Sequence, residues 1–360
     1  MLNLRSSNSF WATLIKINLL ALVFFLFFSL LTLLGLAGVT YSYLQNFATA
    51  SQTSLPELWQ MAQTVKSTTK QDQRQQITFL LLGTDQDSAR NLQATLTDTM
   101  MLVKINLTTG QIVTLPIPRD LWHQGYQTKI NALYSYGDKF SPNHPEQFVA
   151  TSLNEFLGVS IDHILVLSID DLVQLLALVG EIEIDVPQGF VDDQYPREGI
   201  DPNTTDDKTV LYETIEFKSG LQTFDQQKAL KYIRSRKSED SAVGSDLSRS
   251  SRQQQVIMAI INKIASPKFL SSPDKTGSLL KFYNDHFEKY WPLTDLLSAA
   301  IKLLPQAQTI TFTSLAIPVF PDDPAGLIYH PDPKFYQNLW VYAEKSPGNL
   351  NQAIPQLLNL

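Results

Sequence analysis

Two aspartates and a set of arginines are the residues of this 360-residue chain best suited to chemistry. Asp85 follows an apolar run directly, in Leu82-Gly83-Thr84-Asp85, and Asp98 sits just before another, in Thr97-Asp98-Thr99-Met100. If the two runs pair in one sheet, both carboxylates project from strand ends, where open α/β sheets place their ligands. Two such groups hold a hard divalent cation such as Mg²⁺ beside phosphate oxygens. The plainer alternative makes Asp85 a loop residue and Asp98 a turn cap.

The cations are concentrated in one stretch. Tyr232-Ile233-Arg234-Ser235-Arg236-Lys237 ends one helical pattern, and Asp246-Leu247-Ser248-Arg249-Ser250-Ser251-Arg252-Gln253 opens the next. Arg249 and Gln253 stand at i and i+4 on one helix face, with Arg252 beside Arg249 at i+3. Arginine forks take phosphate oxygens bidentately, and a helix N-terminus adds oriented N–H groups. Arginine at a helix start opposes the helix dipole, so helix stability does not account for its placement. A solvated charged face, balanced by Glu239, Asp240 and Asp246, is the alternative. Arg119 in Ile117-Pro118-Arg119-Asp120 adds a guanidinium after a strand, and Lys129-Ile130-Asn131 comes nine residues after Asp120.

Other chemistries are excluded. The chain has no cysteine, which removes disulfides, Fe–S clusters, zinc-thiolate sites and a thiol nucleophile. It contains no Gly-x-Ser-x-Gly, no Walker-type phosphate loop and no His-Glu-x-x-His. Its five histidines (123, 144, 163, 286 and 330) are scattered, with no two at helical ligand spacing. A net charge of −7 leaves no general nucleic-acid surface, so phosphate must be met by a local arginine cluster.

The elements that must position these residues follow from hydrophobic pattern. Mean hydropathy is near neutral, −0.08, only because a very apolar N-terminus is averaged with a polar remainder. Residues 17–39 carry no charge and form a helix of roughly 34 Å, enough to span a bilayer core. Arg5 and Lys16 precede it and no further Lys or Arg appears before Lys66, which places the N-terminus in the cytoplasm and the rest outside. The competing assignment is a cleaved signal peptide, whose apolar region is normally about 7–15 residues. Residues 40–76 read as a polar stalk with a short helix near 58–65.

The body opens on an apolar strand at 77–82. Strands at 100–106 and 111–116 follow, joined as a hairpin by Leu107-Thr108-Thr109-Gly110. Helix and strand then alternate: 146–157, 163–167, 169–179 and 181–186. Asp225 caps a helix to about Arg234, and 249–265 forms another. Helical patterns at 279–290 and 293–304, a strand at 310–317 and a helix after Pro333 complete the chain. This is an α/β fold around a mixed sheet, with one large domain from 77 to about 345 and a tail from 346 to 360.

Six motifs occur in order: Phe79-Leu-Leu-Leu-Gly-Thr-Asp85, Thr97-Asp98-Thr-Met-Met-Leu-Val103, Ile117-Pro-Arg-Asp120, Lys129-Ile-Asn-Ala-Leu-Tyr134, Tyr232-Ile-Arg-Ser-Arg-Lys237 and Asp246-Leu-Ser-Arg-Ser-Ser-Arg-Gln-Gln-Gln255. Together with the N-terminal anchor, they closely resemble the LytR-CpsA-Psr (LCP) family. The resemblance implies a three-layer α/β/α sandwich with an apolar cavity for a lipid tail. It also implies a membrane-anchored phosphotransferase at the outer face of the cytoplasmic membrane. The substrate would be a glycopolymer on a polyprenyl-pyrophosphate carrier, the acceptor peptidoglycan or another envelope component, the cofactor Mg²⁺, with no role for nucleic acid. Carried over by motif, Asp85 and Asp98 would hold Mg²⁺ or assist the acceptor hydroxyl, with Arg119 beside them. Arg234, Arg236, Arg249, Gln253 and Lys129 would bind the pyrophosphate. Many members carry an Arg two residues before the second Asp, where this chain has Leu96; Arg90 in the preceding loop is the nearest substitute. A non-catalytic polyprenyl-phosphate binding protein and a polyprenyl-pyrophosphate hydrolase are the alternative functions.

Overall fold

The computed structural model describes residues 5–84, 95–197, 200, 207–235 and 246–359. Asp85, Arg90, Arg236, Lys237 and the loop 239–244 lie outside the described residues.

A five-stranded mixed sheet forms the centre. In chain order its strands are β1 (Gln76–Thr84), β2 (Thr97–Asn106), β3 (Gln111–Pro116), β4 (His163–Ser168) and a late strand at Thr311–Ser314. The late strand pairs in parallel with β3, β3 with β2 and β2 with β1 antiparallel, and β4 in parallel with β1. The C-terminal ends of β1, β3 and β4 and the start of β2 therefore share one edge. The predicted hairpin of β2 and β3 is present. The apolar run opening the body is strand β1 because both of its faces are covered. Gly83 admits the neighbouring strand closely: a Cβ there would stand 2.9 Å from Thr99 Cβ.

Helices cover both faces. Leu80, Leu82, Leu102, Leu115 and Val166 pack with α3 (Leu133–Phe140) and α4 (Pro145–Leu157) into the main core. Ile77 and Phe79 face the opposite way, onto Trp291 and the helix at Leu293–Leu303. This is the three-layer arrangement expected. A second apolar centre lies beside the sheet. It is built from α5 (Ile169–Val179), β5 (Ile182–Val186), β6 (Phe190–Pro196), β7 (Tyr212–Phe217) and β8 (Gly220–Phe224). Helices α6 (Gln226–Arg234) and α7 (Asp246–Ala265) complete it. The strand expected at 181–186 exists but pairs with β8, outside the central sheet. Asp225 caps α6 as expected, its Oδ1 accepting from Lys228 N at 2.7 Å.

The stalk region is helical and docked. The N-terminal helix α1 runs unbroken over Arg5–Ser51, through both the apolar segment and the first part of the stalk. Among the described residues it is the one helix long and apolar enough to cross a membrane. Beyond the apolar stretch it lies against α8 (Pro273–His286): the Tyr43 hydroxyl is 3.2 Å from Thr276 Oγ1 of that helix and donates to Leu270 O, just before it, at 2.7 Å. Gly277 of α8 makes the approach possible, since a Cβ there would meet Phe47 O at 2.5 Å. The short helix expected near 58–65 is α2, Leu55–Gln71, closed at its start by the reciprocal Ser54–Glu57 capping box. Near the C-terminus, only a 3₁₀ turn, Pro333–Phe335, follows Pro333. The last full helix, Asn349–Leu357, buries Leu350 and Ile354 in the main core, so the tail is part of the packing.

Candidate functional site

Asp98 occupies an irregularity in the sheet. Thr99 pairs with Gly83 and Thr97 with Thr84, so Asp98 is the extra residue of a β-bulge. A bulge re-aims one side chain without ending the strand pair, and bulges gather beside active sites for that reason. The carboxylate meets Arg119, whose Nη1 donates to Asp98 Oδ1 at 2.7 Å. Arg119 comes from the segment after β3, at the same sheet edge, and its Nε also lies 3.5 Å from Asp120 Oδ2. Lys129 Nζ donates to Asp120 Oδ1 at 2.6 Å. Asp98, Arg119, Asp120 and Lys129 thus form one alternating chain of charges. All four side chains are a third exposed or less, which strengthens each contact and keeps the group open to a ligand.

Asp120 is a member that sequence reasoning quoted without a role. The signal was its position in Ile-Pro-Arg-Asp, between a strand end and the lysine. It joins Lys129, expected to touch pyrophosphate, to Arg119. Its backbone carbonyl accepts from Tyr342 N at 3.0 Å, which ties the loop to the C-terminal region.

The second cationic group is built around a buried polar knot. Arg252 is 4% exposed and donates from Nε to Tyr232 O at 3.0 Å and from Nη2 to Ser235 O at 2.6 Å. Its guanidinium also lies over Phe190, 5.0 Å from the ring centroid. Ser235 Oγ donates to the buried Asp192 Oδ2 at 2.6 Å, and Tyr232 Oη to Gln255 Oε1 at 2.7 Å. Burial lowers the pKa of Arg252, with Tyr232 and Asp192 opposing that effect. Arg252, set beside Arg249 by spacing, therefore spends its fork on backbone carbonyls and clamps the end of α6 to α7. That clamp positions Arg234 on the last turn of α6 and Arg249 and Gln253 on the first turns of α7. Arg249 is buried at 5% exposure, and Arg234 and Gln253 are half-buried. The next residue of α7, Gln254, accepts from Ser314 Oγ at 3.0 Å and donates toward Met101 Sδ at 3.7 Å. The start of α7 thereby rests on the central sheet, three residues along β2 from Asp98.

The apolar residues of α5 and α7 divide. Val256, Ala259 and Ile260 are plain core, as are Leu172 and Leu176, whereas Val173, Leu175, Leu178 and Ile264 are only partly covered.

The charge chain at the sheet edge and the arginine-bearing helix pair occur in the motif order read from sequence. Comparison with known proteins agrees. A family model described as the LytR_cpsA_psr family matches residues 40–340. The polyisoprenyl-teichoic acid–peptidoglycan teichoic acid transferase TagU of Oceanobacillus iheyensis is 29% identical over 216 residues, covering 59% of this chain and 58% of that protein. The matched part thus spans a little over half of that relative. The protein of the same name from Bacillus subtilis is 24% identical over 287 residues, 77% of this chain and 81% of its own. Among solved structures, B. subtilis TagV superposes with a TM-score of 0.52 at 21% identity, over 80% of this chain and 97% of that one, and so shares the fold. With most of its length matched by the family model, the chain belongs to the LytR_cpsA_psr family.

Proposed function

We infer that this chain is a membrane-anchored phosphotransferase that moves a glycopolymer from a polyprenyl-pyrophosphate carrier to peptidoglycan or another envelope acceptor. The observation that carries this reading is the bulged Asp98 held by Arg119 at the sheet edge. The named activities of the relatives, teichoic acid transfer to peptidoglycan, support it. The apolar part of α1 would anchor the chain, N-terminus in the cytoplasm and domain outside. Donor lipid and enzyme would then share one surface, which raises their effective concentration.

The pyrophosphate already carries the activation energy, so the protein must neutralise charge and position a hydroxyl. The acceptor oxygen forms a bond to the glycan-side phosphorus. The bond from that phosphorus to the bridging oxygen breaks, releasing polyprenyl monophosphate, and Asp98 accepts the hydroxyl proton. Arg119, Arg234 and Arg249 face the phosphate oxygens, with Lys129 holding Asp120 in place and Gln253 beside Arg249. Arg236 and Asp85, outside the described residues, take the roles their motifs imply.

Magnesium fits as a proposed cofactor. Among the described residues no cluster of three or more His, Asp or Glu forms a metal cage, but Mg²⁺ beside phosphates needs only one or two carboxylates. Asp98 and Asp85 would hold it, and it would supply charge neutralisation at the pyrophosphate.

The test is transfer of a lipid-linked glycan to peptidoglycan by the full chain in membranes, with Mg²⁺ supplied. Asp98→Ala should abolish transfer while the protein stays folded, and full activity would sink the mechanism. Bound polyprenyl phosphate without turnover would mark a binding protein, the reading that Leu96 favours. Equal release of lipid monophosphate with and without acceptor would mark a hydrolase.

A further inference from the structure

A second site adjoins the sheet edge. A polar cavity of about 310 Å³ opens where β1 and β4 end, lined by Thr84, Ser168, Asp171, His286, Lys289 and Tyr290 among others. That volume lies at the lower end of small-ligand cavities. Thr84 belongs to both neighbours: it pairs with Thr97, next to Asp98, on one side and with Ser168 on the other. Strands lie about 4.8 Å apart, so the cavity is within about 10 Å of Asp98.

Its polar groups are arranged for a ligand with hydroxyls. His286 Nδ1 stands 2.6 Å from Asp171 Oδ1, a contact that fixes the orientation of the ring. Asp171 is itself immobilised: its Oδ2 accepts from Ser168 N at 2.9 Å and Ser168 Oγ at 2.7 Å. Thr84 is 3% exposed and its buried hydroxyl has no hydrogen-bond partner, a cost of about 1–3 kcal/mol unless a ligand meets it. Burial pushes the Tyr290 phenol up to about 12, and Tyr134, also on the lining, is raised by the same cause, so both stay neutral donors. Asp171 and Asp285 offset Lys289, and Asp285 is paired with Lys281 as well. This balance suits neither a phosphate nor a free cation. It suits a neutral group that both donates and accepts.

We propose that this cavity is the acceptor subsite, holding a neutral saccharide whose hydroxyls bond to Thr84, His286 and Tyr290 and directing one hydroxyl toward the strand end that bears Asp98. The proposal rests on the transferase reading and adds where the acceptor sits. His286 acts as a positioning residue, oriented by Asp171.

The experiment uses the full chain in lipid nanodiscs, a lipid-linked glycan donor and a soluble, uncharged N-acetylglucosamine tetrasaccharide as acceptor probe. Thr84→Val and His286→Gln should each raise the acceptor KM about tenfold, with donor KM and kcat within twofold of the parent. An unchanged acceptor KM, or an equal rise in donor KM, overturns the proposal. A second arm needs no turnover and no variant. The tetrasaccharide alone should shift the His286 imidazole resonances of the parent protein, and inorganic pyrophosphate should not. Parent protein that transfers glycan yet shows no such shift refutes the subsite. A saccharide-dependent shift in a protein that transfers nothing refutes the transferase reading and leaves the subsite standing. If His286→Gln fails to fold, Thr84→Val and the parent resonances decide.

Discussion

Arg119 reaches from the end of β3 to the bulge in β2 and closes a 2.7 Å contact with Asp98. Asp98 belongs to β2 and Arg119 to the segment that leaves the adjacent strand β3, and each fixes the other at one edge of the sheet. A partly exposed pair contributes little to folding, so in the proposed mechanism this contact serves to position the carboxylate.

The first prediction concerns that pair. Arg119→Ala should lower kcat for transfer by about 10²–10³, the usual cost of one donor to developing charge. Asp98→Asn should cost at least as much, and the double variant scarcely more than the worse single one, since paired groups act as a unit. Costs that multiply in a double-mutant cycle would show that the residues act independently.

Arg252 should behave in the opposite way. Arg252→Met leaves the carbonyls of Tyr232 and Ser235 without their donor and removes the charge facing Asp192. A destabilisation of about 2–4 kcal/mol is expected, seen as a Tm lower by roughly 5–10 °C. Donor binding should fall only through loss of folded protein. A stable Arg252→Met protein with weakened donor affinity would make Arg252 a ligand-binding residue instead.

Gly277→Val tests the seating of α1 on α8. A side chain at this point meets the Phe47 carbonyl and the Ala50 Cβ, so the helices must separate. Amides of residues 43–51 should exchange faster, at least tenfold, while the catalytic domain keeps its own Tm within a few degrees. Unchanged exchange would mean that the stalk is held elsewhere.

Acid should lower stability in two stages. Burial and the neighbouring Arg74 lower the pKa of His163, which stacks on Trp291 at 4.5 Å. Its folded pKa lies below the unfolded value of about 6.5, so its contribution is present above that pH and is lost as pH falls below it. The loss is at most about 1.4 kcal/mol by pH 5.5, one pH unit below the unfolded value. Burial raises the Asp72 carboxyl, but hydrogen bonds from Arg74 at 2.9 Å and the Lys302 ammonium at 3.0 Å outweigh it and hold the group well below the usual range. That contribution is complete above about pH 4 and is lost as pH falls further. Urea unfolding at pH 8, 5.5 and 3 should show the first stage missing in His163→Gln and the second in Asp72→Asn.

Local pattern accounts for what was legible without the fold. Apolar continuity marked β1, a turn marked the β2–β3 hairpin, and Asp225 marked the start of α6, because each depends on residues within a few positions of one another. The same locality placed Asp98 and Arg119 at strand ends, and the ordered motifs identified the family. Periodicity records that a face is buried but not what covers it. The strand at 182–186 could therefore be located without its partner β8, and the polar stalk did not reveal its seat on α8.

The sequence by itself determined the apolar N-terminal helix, the α/β order, the family and the candidate residues for a phosphate site. Only the tertiary structure decided that Asp98 stands in a bulge, that Arg252 clamps two helices, and that His286 meets Asp171 from more than a hundred residues away. Those outcomes follow from packing between distant segments. A guanidinium or an imidazole has the same chemistry in any chain, and its role is set by which partner is within about 3 Å when the cores close.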